Sequence, residues 1–159
     1  SEVTKLFFKT VQNMMHYAVT KQTAAEIIYD PADAERPHMG LTTWKNAPDG
    51  RVIKSDVTIA KNYLSEKEIE SLNRLSNAFI DIAEQRAADH ILMTMADWSE
   101  KLDAFLKFND AEILMDKGKV TAEIAKAFAE SEFEKYRVLQ DVSYQSDFDR
   151  LIAESSDEQ

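Results

Sequence analysis

The sequence predicts a mostly α protein: a single helical domain with one small β-hairpin near residues 41–54. Three observations carry that expectation. Gly and Pro together number 6 of 159 residues, about 4% against a usual share of roughly 12%, which leaves few positions for the tight turns of a sandwich or barrel. Leu, Ile, Val and Phe number 38, enough for one sizeable core in a chain of this length. Over most of the chain the apolar residues recur at spacings of three and four rather than two.

The elements follow in order. Residues 4–20 read as an amphipathic helix, with Phe7, Val11, Met14 and Ala18 on one face and Lys9, Asn13, His16 and Thr20 as a polar stripe on another. Thr23 and Glu26 form a T-x-x-E capping box that starts a second, short helix. Asp30-Pro31 ends it, because a residue before proline is pushed out of the α region. Residues 30–54 hold all three prolines and two of the three glycines. Within them, 41–44 and 51–53 flank Asn46-Ala47-Pro48-Asp49-Gly50, the pattern of two strands around a short loop. A short helix is expected over 56–64. Ser65 and Glu68 form a box that opens a helix to about Asp89, with Ile69, Leu72, Phe79, Ile82 and Arg86 along the buried side. Thr94 opens another, carrying Trp98, Leu102, Phe105 and Leu106 past Asn109 towards Met115. Gly118 is read as a C-cap glycine. Thr121 to about Gln140 forms the last long helix, and 141–159 an acidic tail, a loosely held helix and then disorder.

Charge narrows the partners. The net charge is −10, and residues 1–64 carry 8 basic and 7 acidic side chains against 11 and 22 in 65–159. A generic nucleic-acid coat needs a basic face and is excluded, and any polyanion belongs with the first part. No Cys is present, which removes disulfides, zinc fingers, iron–sulfur clusters and thiol catalysis. No run approaches the 18 or so apolar residues of a membrane span, so no membrane association and a cytoplasmic location are expected. The chain opens on Ser1 rather than Met, as a piece cut from a longer protein would.

Chemistry-bearing motifs are few. There is no glycine-rich phosphate loop, no H-E-x-x-H and no G-x-S-x-G elbow. Pro37 between Glu35 and His38 denies them the helical Glu-x-x-His of a di-iron bundle, so no metal and no cofactor are expected. His16, beside Asn13 and Thr20, could shuttle protons or hold an anion, or simply bond a neighbouring loop. Asn73, Asn77, Asp81 and Glu84 line one helical face, suited to acid–base work if desolvated and otherwise a solvated surface. Lys54, Asp56, Lys61 and Asn62 bracket the helix after the hairpin, where Asp56 could also just complement the helix dipole. Trp44 on an exposed hairpin could stack on a base. Trp98 and most of the methionines read as core.

Particular runs of residues carry a resemblance. They are Phe8-Lys9-Thr10-Val11-Gln12-Asn13, His16-Tyr17-Ala18-Val19, residues 22–28 and Ala32-Asp33-Ala34. Met39-Gly40-Leu41-Thr42 with Trp44-Lys45, residues 54–64, Trp98, residues 101–106 and Phe133-Glu134-Lys135-Tyr136 continue it. Together they resemble the virulence protein RhuM family, in order, over about 1–140. The resemblance implies a virulence-associated bacterial protein, often carried on mobile islands, whose members begin with a helix-turn-helix DNA-binding segment that this chain lacks. In related proteins a similar segment is joined to a Fic/Doc toxin-like domain, which implies an effector in the position this chain fills. The H-P-F-x-x-G-N/C loop of those transferases is missing here. No catalytic residue is implied by the resemblance. Met14 stands where a lysine is usual, and Pro31 where an arginine is usual, which would weaken a phosphate site near His16 and Asp33.

The expected function is that of the effector, sensing half of a DNA-binding regulator, with a protein partner or a second copy bound through the hairpin and the His16 face. DNA would be met only through the segment absent here. The alternative is a toxin-like enzyme acting on nucleotide or nucleic acid. Its catalytic candidates are His16, Glu26, Asp33, Asp56 and Lys61, with Asn13, Trp44, Lys54 and Asn62 as ligand-binding residues.

Overall fold

The structure, a computed structural model, describes residues 2–112, 114 and 118–157. They hold five helices, α1 (Glu2–Thr20), α2 (Ala24–Tyr29), α3 (Glu66–Ala88), α4 (Met95–Phe108) and α5 (Ala122–Asp157). Three short 3₁₀ turns lie at Pro37–Gly40, Lys54–Asp56 and Ala60–Tyr63. The chain divides into two compact units, with cuts after Ile27, Tyr63 and Ala122.

The first unit joins the N-terminal stretch through Ile27 to Leu64–Ala122. Its helices begin where local chemistry says they should. Ser65 accepts from the Glu68 N–H, and Glu68 accepts from the Ser65 N–H at 2.9 Å. Thr94 and Asp97 repeat the arrangement at α4. There the Thr94 bonds, its backbone N–H first, hold the Asp97 carboxyl below its usual range. Helix α1 packs against α3 and α4. Met14, Met15, Leu72, Phe79, Leu102 and Leu106 are buried, and Phe79 sits 6.2 Å from Trp98, edge to face, and 5.7 Å from Phe105. Ile82 of the expected buried side of α3 is exposed. Helix α4 stops at Phe108 rather than running on, because the Asn109 amide turns back to the Phe105 carbonyl at 2.8 Å and Asp110 is left-handed at φ +56°. Met115 lies outside the described residues. Gly118 is left-handed at φ +81°, and residues 115–117, where the helix it was expected to cap would end, lie outside the described residues. A Cβ there would lie 2.7 Å from Glu26 Oε1 and from the Thr23 methyl.

The second unit is an irregular segment, residues 28–63, laid against α5. No strand occurs among the described residues, so the expected hairpin at 41–54 is not formed. The physical reason is where the backbone groups go. The Gln140 side chain of α5 accepts from the Val52 N–H at 2.8 Å and donates to the Val52 carbonyl at 3.0 Å, as a neighbouring strand would. On the other arm the Thr42 and Thr43 N–H groups go to the Asn62 carbonyl at 2.7 and 3.3 Å. Between the arms, Gly50 N–H returns to Asn46 across a cis Ala47-Pro48 bond. The helix expected over 56–64 is replaced by two 3₁₀ turns, since Asp56 caps Ile53 from its side chain and Asn62 is drawn to Thr42.

Side chains along α5 meet this segment. Phe128 packs against Tyr29 with the rings tilted and their centres 4.6 Å apart, the Tyr136 hydroxyl meets the His38 backbone, Asp141 pairs with Arg51, and the Tyr144 hydroxyl donates to the Asp49 carbonyl. Ala125 and Ala129 are fully buried, which lets the backbone come close. His38, Met39 and Gly40 are successively left-handed, at φ +52°, +58° and +84°. Only glycine fits the last of them, where a Cβ would stand 2.2 Å from the Pro31 carbonyl oxygen. Helix α5 does not end near Gln140. It continues as helix to Asp157, through the stretch expected to be a tail.

Candidate functional site

His16 lies on the third to fourth turn of α1 and is buried, with 8% of its surface exposed. Its Nδ1 is 2.6 Å from the Gln12 carbonyl oxygen. A carbonyl only accepts, so Nδ1 carries a proton. One turn away, Asn13 Oδ1 accepts from the Ala24 N–H at 3.3 Å and ties α1 to the start of α2. There the capping box forms as its spacing predicts. Glu26 Oε1 accepts from the Thr23 hydroxyl at 2.9 Å and from its N–H at 3.3 Å, and Thr23 Oγ1 accepts from the Glu26 N–H. Asn13, Thr23 and Glu26 are thus joined through backbone contacts in the first unit, with His16 on the adjacent turn of α1.

The other candidates belong to the second unit. Asp56 is buried, at 3% exposure, and its carboxylate accepts from the Lys45 N–H at 3.0 Å and the Ile53 N–H at 2.8 Å. Its carbonyl accepts from the Asn62 amide at 3.0 Å. Asp56 and Asn62 therefore meet, next to Lys45 and hence next to Trp44. Trp44 itself is buried, its Nε1 donating to the Gly50 carbonyl at 2.9 Å, and His38 stacks on its ring at 4.3 Å. The ring is not the exposed platform that base stacking requires. Asp33 holds its own turn, accepting from the Glu35 N–H at 2.9 Å with Arg36 Nε at 3.6 Å. Lys54 and Lys61 are exposed. On α3, Asn73, Asn77, Asp81 and Glu84 are all exposed, as a solvated face would be. No group of three or more His, Asp or Glu side chains placed to hold a metal ion occurs among the described residues, and no helix among them is long and apolar enough to cross a membrane.

What the arrangement does chemically is hold backbone. Glu26, Asp33 and Asp56 each accept from main-chain N–H groups, the role of a charged cap. The residues that sequence reasoning passed over are Tyr136, Gln140 and Tyr144, which organise the second unit, and Phe148, Leu151 and Ile152, which stand exposed near the end of α5. The last three were legible as an i, i+3, i+4 apolar triplet, masked by the acids around it.

The fold is thus that of a helical protein in which an irregular segment is organised by the side chains of one long helix. The chain belongs to the virulence protein RhuM family, whose model matches residues 1–145. No curated protein and no solved structure matches it.

Proposed function

We propose that this chain is the interaction half of a RhuM-family bacterial DNA-binding regulator, holding a partner through apolar helix surface. The observation that carries this reading is the amount of large apolar side chain left open on helices. Phe108 at the end of α4 is 87% exposed, on α5 Val138, Leu139, Val142, Phe148, Leu151 and Ile152 are each more than half exposed, and Leu92, in the turn between α3 and α4, is 96% exposed. Apolar surface of this kind, rimmed by charge, marks interaction sites on proteins. The carboxylates offered for catalysis support the reading from the other side, since Glu26 and Asp56 are occupied with capping bonds.

A thermal-shift panel of nucleotides, short oligonucleotides and divalent metals on this chain and on His16→Ala tests the reading. A ligand at about 100 times its dissociation constant stabilises a fold by about 2.7 kcal/mol. The expected result is no shift with any member of the panel. A nucleotide or oligonucleotide shift that vanishes in His16→Ala overturns the proposal in favour of a toxin-like enzyme or a nucleotide sensor with His16 in its site.

A further inference from the structure

We propose that the last three turns of α5 are a docking helix for a basic amphipathic helix of a partner protein. The proposal rests on the interaction reading above and gives it a place and a chemistry. From Gln145 to Ser156 every residue of α5 is exposed. Among the described residues, the last hydrogen bond from α5 to the rest of its unit is the Tyr144 hydroxyl on the Asp49 carbonyl; those beyond it, Gln145 to Asp149 and Arg150 to Asp147, stay within the helix. The family match ends at residue 145, so this extension lies outside it.

At about 100° per residue, Phe148, Leu151 and Ile152 fall in one sector. They are 59%, 61% and 51% exposed. The sector continues the line of Phe133, Gln140 and Tyr144, by which the earlier turns of α5 meet their own unit. Its borders are acidic: Asp147 and Glu154 on one side, Asp149 on the other. Arg150 lies on the far side of the helix and pairs with Asp147 at 2.6 Å, leaving Asp149, which among the described residues takes a bond from the neutral Gln145 amide, and Glu154. A second copy of the helix would set these same acids against each other, which is unfavourable. A helix with an apolar i, i+3, i+4 face edged by Lys or Arg satisfies both the face and its borders.

The test uses the full chain and two labelled helical peptides of about 21 residues. Both carry Leu at the a and d heptad positions, one with Lys and the other with Glu at e and g. Fluorescence anisotropy is read for wild type, for Phe148→Ala/Leu151→Ala/Ile152→Ala and for Leu92→Ala/Phe108→Ala; Ala keeps the helices. The Lys peptide is expected to bind wild type, to lose about tenfold or more in the triple variant, and to be unaffected by the double variant. Equal binding to wild type and triple variant, or equal binding of the Glu peptide, overturns the proposal. Loss in the double variant instead leaves an interaction module whose site is elsewhere. No binding at all overturns it too. If wild type then sediments as a dimer that the triple variant dissolves, the occupant of α5 is a second copy.

Discussion

Gln140 is one side chain that substitutes for a strand. Both ends of its amide are used on Val52, which is 2% exposed. Truncation to Ala leaves a buried N–H and a buried carbonyl unpaired, at about 1–3 kcal/mol each. Gln140→Ala is therefore expected to lose about 2–5 kcal/mol in urea unfolding, while exposed neighbours such as Leu139→Ala change little. Tyr63 gives a pH signature. Its hydroxyl donates to the Val57 carbonyl at 2.6 Å, and burial pushes its pKa well above the ordinary 10. The folded state thus holds its proton more tightly than the unfolded one, so this contribution is full below pH 10 and falls as pH rises beyond it. Unfolding midpoints taken from about pH 9 to about pH 11 should drop in wild type and drop less in Tyr63→Phe. Residue type alone shows neither effect, nor the burial of His16. The sequence displays an imidazole on a polar stripe, but its turn back to the Gln12 carbonyl is a rotamer.

At the scale of elements, what was local was legible. The boxes at Thr23, Ser65 and Thr94 each close within three residues, and each formed as its spacing predicts. The hairpin failed for the opposite reason. Its second arm finds its partner 88 residues away in α5, and no pattern within residues 41–54 reports that a helix will supply the hydrogen bonds. After Asp141 a loosely held helix was expected, but the acids there hid that it runs unbroken to Asp157 and carries an apolar triplet. Because every residue from Gln145 to Ser156 is exposed, ending the chain at Asp147 is expected to shift Tm by less than about 2 °C. Far-UV circular dichroism should lose the signal of about ten helical residues. A larger fall in Tm would mean that these turns support the fold.

For the whole molecule, composition gave the helical class, and the quoted runs of residues gave the family, which the match over residues 1–145 shows. The division into two units was not legible, because each is assembled from stretches far apart in sequence. The second unit's irregular half closes on a helix that follows only after all of Leu64–Ala122. Chains emerge from the ribosome N-terminus first, at about 5–20 residues per second. Val52 then waits about 4–18 s for Gln140 to be made. During that interval Val52, buried in the finished fold, lacks the Gln140 amide that pairs its backbone. The turn-rich segment is made early and completed late, and in the growing chain it is the stretch a chaperone would hold.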